Sequence, residues 1–267
     1  MAARELIPGF AVLMYHGIAR DAAQPVPPDE RKYWVTAAQL REYLLCIQDA
    51  GYRVTRLSEL WKSPVKPDHP QRTVALSFDD GRASDYEIAF PLLLEAHATA
   101  EFFVNTANIG TPGFLGWEQI TEMQRAGMSF QSHGHEHVDL SRLTTHELVS
   151  QVRESRRRLE DGLSTRVQFL AAPYGLFDRR VLDAAREQGF DALCTSHAWP
   201  ARWGAQTIGR VAIYRHTQAR EFRRIVTRHP APYLMRAARA GLIYLPKRVV
   251  LRFRPRQLGA RILEEQA

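Results

Sequence analysis

Two adjacent carboxylates, Asp79 and Asp80, end the run Thr73-Val-Ala-Leu-Ser-Phe-Asp-Asp-Gly-Arg82. Side by side, two negative charges repel unless a cation or a proton sits between them. A source of positive charge follows later in the chain. In His133-Gly-His135-Glu-His137-Val-Asp139, three histidines alternate with small or acidic residues. His133 and His137 stand four apart, a spacing that lets two imidazoles converge if the loop makes a helical turn. Two histidines and one carboxylate with an open position form a common catalytic zinc site. If Asp80 joins the histidines on a metal, Asp79 remains free as a base. Each motif has a plain alternative: Asp-Asp-Gly is also a turn signal, and histidines decorate solvated loops. Together they point to metal-assisted hydrolysis. A third stretch, Phe169-Leu-Ala-Ala-Pro-Tyr174-Gly175, closes an apolar run with a sharp bend that exposes backbone N–H groups near a strand end. One of these could help hold an oxyanion.

Ser77-Phe-Asp-Asp-Gly81, Ser132-His-Gly-His-Glu-His137 and Ala172-Pro-Tyr-Gly175 resemble, in order, the first three motifs of the polysaccharide deacetylase family, carbohydrate esterase family four. The similarity extends to Leu13-Met-Tyr-His-Gly17, Ala50-Gly-Tyr-Arg-Val54, Gly116-Trp117-Glu and Val138-Asp-Leu140, and so covers about residues 9 to 227. It implies a distorted (β/α)7 barrel, TIM-barrel-like, that removes an N-acyl group from an amino sugar with the help of a divalent metal, usually Zn2+. By position, Asp79 matches the general base, Asp80, His133 and His137 match the metal ligands, and the Tyr174 N–H matches the metal's partner in holding the oxyanion. Two departures stand out. The arginine that usually precedes the Pro-Tyr pair by two residues, and contacts the base, is Ala171 here, with Arg82 or Arg215 as stand-ins. The leucine-x-histidine motif after the last strand has only a shifted counterpart, Ile213-Tyr-Arg-His216. His216 is the first candidate for the general acid, and His16, at the end of the first strand, is the second. Trp117, Phe103 and Trp199 are candidates for stacking on a sugar ring.

These side chains need a scaffold that brings strand ends together. Strand and helix patterns alternate from Phe10 to about residue 227, and three helices stop the same way, at Ala50-Gly51-Tyr52, Ala126-Gly127-Met128 and Gln188-Gly189-Phe190. Glycine just past a helix end takes the left-handed conformation without penalty, so the repetition marks βα units. About seven strands fit a (β/α) barrel, although a doubly wound open sheet would alternate in the same way. Thr36 and Thr145 read as helix N-caps, and Pro91 as a kink or break.

Composition bounds the rest. The chain has 267 residues, 45% of them hydrophobic and 24% charged, which is ordinary for a globular core. No apolar run is long enough to span a bilayer, and the start lacks the pattern of a signal peptide. The two cysteines, Cys46 and Cys194, read as buried thiols in a reducing compartment, so the expected location is cytoplasmic. Of the net charge of +7, +6 lies in residues 231–267, leaving about +1 for the other 230. The expected division is a catalytic barrel over 1–230 and a basic extension over 231–267. From 231 to 256 apolar residues and arginines interleave without an acid, a pattern that suits an anionic membrane surface or a final helix packed on the barrel. Without a recognition motif, nucleic acid is not an expected partner. The expected substrate is an N-acetylated or N-formylated amino sugar in a polysaccharide or a lipid-linked glycan precursor. A hydrolase of a small cyclic amide and an inactive carbohydrate-binding homologue are the alternatives.

Overall fold

The computed structural model describes residues 6–62 and 72–239. The Pro-rich connection over Pro64–Pro70 and the tail beyond 239 lie outside them. A parallel sheet holds strands β1 (Ala11–Tyr15), β2 (Thr73–Asp80), β3 (Glu101–Val104), β4 (Ser129–Ser132), β5 (Phe169–Ala171), β6 (Ala192–Thr195), β7 (Thr207–Gly209) and β8 (Val211–Ala212). Its order is β7-β6-β5-β4-β3-β2-β1-β8, so β7 and β8 form its two ends. They are one stretch of chain interrupted at Arg210. The sheet therefore nearly closes on itself as a barrel of seven strands, with Arg210 at the seam, its N–H bonded to the Thr195 carbonyl.

Side-chain alternation sorts the strands into two faces. Val12, Ala75, Phe103, Phe169, Ala171, Cys194 and Ile208 fill the barrel. Leu13, Leu76, Phe78, Phe102, Leu170, Leu193 and Val211 face the helices. Both faces of β2 are buried along its whole length, which is why it reads as a nearly continuous apolar run.

The helices around the barrel are α1 (Ala37–Asp49), α2 (Phe90–Glu95), α3 (Trp117–Arg125), α4 (Thr145–Leu163), α5 (Arg179–Glu187) and α6 (Ala219–Val226). Thr36 caps α1 with a full capping box to Gln39. The cap of α4 is Thr144, not Thr145: its hydroxyl accepts from Glu147 N–H, and Thr145 is already the first helical residue. A π-turn over Asp85–Ala89 precedes α2, and Pro91 falls in the first turn of the α-helical part, where its missing N–H is not needed.

Residues 230–239 are helical, and the expected boundary after 230 cuts through packed structure. Tyr233 is fully buried, with its hydroxyl donating to the Ile225 carbonyl. Arg236 donates to Glu221 and, at 2.6 Å, to the Ala212 carbonyl.

Candidate active site

Asp79 ends the barrel-facing series Ala75, Ser77, Asp79 and is buried. Its carboxylate is gripped by Arg210, Nη1 to Oδ1 at 2.6 Å and Nη2 to Oδ2 at 2.8 Å, with both side chains no more than 3% exposed. Arg210 also donates to Ser77 Oγ and lies 4.8 Å over the Phe103 ring. Burial alone would push the Asp79 carboxyl up. The charge and hydrogen bonds of Arg210, with the charges of His133 and His16, override that and hold it below the usual carboxylate range.

This pair corrects the expectation about the missing arginine. Neither stand-in reaches Asp79: Arg82 binds Asp80 and Glu30, and Arg215 donates to the Ala22 carbonyl. The side chain that does is Arg210, from the seam opposite. The signal available in the sequence was an arginine inside the last apolar strand pattern, Ile208-Gly-Arg-Val-Ala212.

Strict alternation would send the Asp80 side chain to the helix side, as it does Phe78. Asp80 instead has φ +81°, and Gly81 follows at φ +70°. The positive φ is uncommon for a residue with a side chain. It breaks the alternation, so that two consecutive carboxylates serve the same mouth. A side chain on Gly81 would meet Val104 Cγ1 at 2.7 Å, so the turn needs glycine.

Asp80 Oδ1 lies 3.5 Å from Nε2 of both His133 and His137. The three donor atoms fall within 4.8 Å of one another. His133 leaves β4 still in register, its N–H on the Val104 carbonyl, and its Nδ1 faces the Ala171 carbonyl at 2.9 Å. That contact keeps the Nδ1–H tautomer and leaves Nε2 to coordinate. Burial, then the charge of His133, brings His137 down to about 4, so its imidazole is neutral near pH 7. Donors on a tetrahedral zinc, with bonds of about 2.0–2.2 Å, stand roughly 3.4 Å apart. The two contacts at 3.5 Å fit that geometry, and one carboxylate with two imidazole Nε2 atoms fits the donor chemistry. Burial would lower the pKa of His133, but the neighbouring carboxylates of Asp79 and Asp80 outweigh it and raise the pKa, so a metal there would displace a proton from its ring.

The third histidine turns away: His135 Nδ1 pairs with Thr106 Oγ1 at 2.8 Å. Tyr174 sits in the turn Pro173–Gly175 at φ +60°, 61% exposed, with its ring edge-on to His137 at 4.4 Å. The turn commits the N–H groups of Gly175 and Leu176 to the carbonyls of Ala172 and Pro173.

The two candidate acids separate clearly. His16 is close enough to feel the charges of Asp79, Asp80, Arg210 and His133, and burial lowers its pKa. Its Nδ1 is buried with no hydrogen-bond partner among the described residues. His216 is exposed and lies flat against Tyr214, whose ring meets Tyr33, which in turn meets His16. The first-ranked candidate is thus three ring contacts from the second. Its loop leaves the barrel at Ala212 and carries it outward. Of the proposed stacking aromatics, Phe103 is buried inside the barrel and Trp199 packs edge-on to Tyr233.

A family model described as polysaccharide deacetylase matches residues 66–193, the part that carries β2 to β5, the first half of β6 and the three motifs. The Bacillus subtilis (strain 168) protein YxkH is 25% identical over 205 residues, covering 76% of this chain and 69% of its own. The poly-beta-1,6-N-acetyl-D-glucosamine N-deacetylase of Staphylococcus epidermidis is 27% identical over 173 residues, 60% of each chain. This chain thus spans about three-fifths of the length of that relative. Among solved structures, the Streptococcus pyogenes deacetylase PplD in complex with acetate superposes with a TM-score of 0.73 at 24% identity, covering 85% of this chain and 100% of its own. At that identity the likeness speaks for the fold, and it agrees with the (β/α)7 barrel.

Proposed function

The chain belongs to the polysaccharide deacetylase family, and from that premise we propose that it hydrolyses the N-acetyl groups of an N-acetylglucosamine polysaccharide with the help of a divalent metal, zinc before others. The observation that carries this reading is the pairing at one barrel mouth of a buried, arginine-clamped Asp79 with the donor set Asp80, His133 and His137. One carboxylate is committed to Arg210 and stays ionised, ready to accept a proton. The other is turned toward the Nε2 atoms of His133 and His137.

Asp80, His133 and His137 would hold the metal, which when bound polarises the amide carbonyl and acidifies water. Asp79 takes the proton of the attacking water, and Arg210 keeps its carboxylate aimed and unprotonated until then. The Tyr174 N–H, at the bend, holds the developing oxyanion. His16, whose buried ring favours the neutral form, takes up the proton that Asp79 drew from water and passes it to the departing amine. Its lowered pKa makes the protonated ring a stronger acid than an ordinary imidazolium.

The clamp on Asp79 weighs against an inactive homologue, because the side chain that Ala171 lacks is replaced in space. The finer reading, a lipid-linked glycan met at an anionic bilayer, rests on the charge of the tail and on Leu234 and Met235, which are 56% and 51% exposed on the helix over 230–239. The test of the main reading is acetate release by zinc-loaded protein from N-acetylglucosamine oligomers, lipid-linked sugars and cyclic amides. Release from the oligomers that vanishes in Asp79→Asn supports it, and release from cyclic amides alone overturns it.

A further inference from the structure

The two oxygens of Asp80 have different partners. Oδ1 faces the histidines, while Oδ2 accepts two hydrogen bonds from Arg82, from Nε and Nη2, each 3.2 Å. Arg82 is itself fixed on every side. Its Nη2 reaches the Glu30 carboxylate at 2.9 Å, and its guanidinium lies 5.4 Å over the Trp34 ring and 5.8 Å over the Phe114 ring. Glu30 also accepts from Trp34 Nε1 at 3.2 Å. Trp34 packs onto Gly17, where an added Cβ would lie 2.2 Å from the indole, and Gly17 directly follows His16.

We infer that Arg82 is a positioning residue that makes Asp80 a one-oxygen metal donor, with Glu30 and Trp34 tying that donor to the loop that precedes α1. By occupying Oδ2, Arg82 prevents the carboxylate from swinging to bidentate coordination and leaves Oδ1 toward the histidines. Hydrogen-bonded partners of this kind orient ligating carboxylates, and losing one typically costs about 10–100-fold in metal affinity. Glu30 supplies the second part of the device. A lone cation beside a metal ligand would repel the metal, and the Glu30 carboxylate offsets that charge, so orientation is what Arg82 chiefly contributes. The inference rests on the metal reading of the site and goes beyond it, to a residue that touches neither metal nor substrate.

Orientation and simple charge predict opposite signs. Arg82→Gln removes a positive charge and leaves Glu30 unpaired, so charge alone would tighten metal binding. Loss of orientation loosens it. The experiment titrates full-length, metal-free protein with Zn2+ against a chromophoric chelator and records the visible spectrum of the Co2+ form. Arg82→Gln should bind Zn2+ roughly 10-fold or more weakly and shift the Co2+ bands, with Arg82→Lys in between. Equal or tighter binding with an unchanged Co2+ spectrum overturns the inference. If Arg82→Gln fails to fold, Arg82→Lys carries the test, because it keeps the charge and loses the two-pronged contact: weaker Zn2+ binding with shifted Co2+ bands sustains the inference, and unchanged binding and spectrum overturn it. A wild-type protein that binds no Zn2+ removes the metal reading and this inference together, whereas a binding wild type with an indifferent Arg82→Gln removes this inference alone.

Discussion

Arg210 and Asp79 form a buried ion pair, and the energetics of such pairs give the first prediction. Removing one partner leaves an uncompensated charge and costs about 3–5 kcal/mol. Arg210→Met should therefore lower Tm by roughly 10 °C at pH 7. The folded-state pKa of Asp79 is depressed, so its stabilising contribution is present above the unfolded value and is lost as pH falls through the folded one. The penalty of Arg210→Met must then shrink in acid, which thermal melts at pH 4 and pH 7 will show. Without Arg210, burial raises the Asp79 pKa, and the acid limb of kcat/KM moves to higher pH. An unmoved limb would mean that Asp79 is not the base. The two histidines outside the donor set give the second prediction. His16→Ala should reduce kcat by about 10²–10⁴-fold, as loss of a general acid does, and His216→Ala should leave it within about 2-fold. A reversed pattern in kcat on N-acetylglucosamine oligomers returns the role to His216. Asp79, Asp80, His133 and His137 were legible in the sequence because each stands in a motif at a strand end. Arg210 was not, because it meets Asp79 across the barrel seam, and no local spacing encodes that contact.

At the scale of elements, β3 carries a charge into the barrel. Glu101 is fully buried at the start of that strand, and its carboxylate accepts from the N–H groups of Leu57 and Ser58, at the first turn of the short helix Leu57–Lys62. Burial, opposed by those hydrogen bonds, pushes it up to about 7. A folded-state pKa raised above the unfolded value means that stability is greatest below the unfolded pKa and is lost as pH rises toward 7. The loss is on the order of 3 kcal/mol across that window. Glu101→Gln keeps one acceptor for the helix and cannot ionise. Its Tm relative to wild type should therefore rise by roughly 5 °C or more between pH 5 and pH 8. A constant difference would mean that Glu101 titrates normally. Helix stops at Gly51, Gly127 and Gly189 and the Thr36 cap were readable because capping is local chemistry. The cap at Thr144 was missed by one residue, since two threonines in succession offer the same side chain and only the backbone turn selects between them. The break in alternation at Asp80 lies in a φ angle, and residue types alone do not reveal it.

At the scale of the molecule, the alternation of strands and helices predicts both a barrel and an open sheet, and closure decides between them. Closure depends on the run from Thr207 to Ala212 pairing with β6 by its first half and with β1 by its second. The helix over 230–239 is anchored to this stretch, because Arg236 holds the Ala212 carbonyl and Tyr233 fills the space beside Trp199. A boundary drawn from charge alone, after 230, therefore falls in the wrong place. Basic composition marks where a tail repels or binds, whereas burial marks where a domain ends. A chain ending at Pro230 loses the buried Tyr233 ring, worth about 2–3 kcal/mol, together with the Arg236 contacts, and should melt roughly 5 °C or more below the full chain. A chain ending at Arg239 keeps both anchors and should melt within about 2 °C of it. That second truncation is the one that isolates the proposed membrane contact. If residues 240–267 serve it, the full chain floats with phosphatidylglycerol vesicles at low salt, and the chain ending at Arg239 stays behind with its deacetylase activity on soluble oligomers intact. If both chains stay behind, the membrane contact is ruled out; if both float, the contact lies in the helix over 230–239, where Leu234 and Met235 are exposed, and not in residues 240–267.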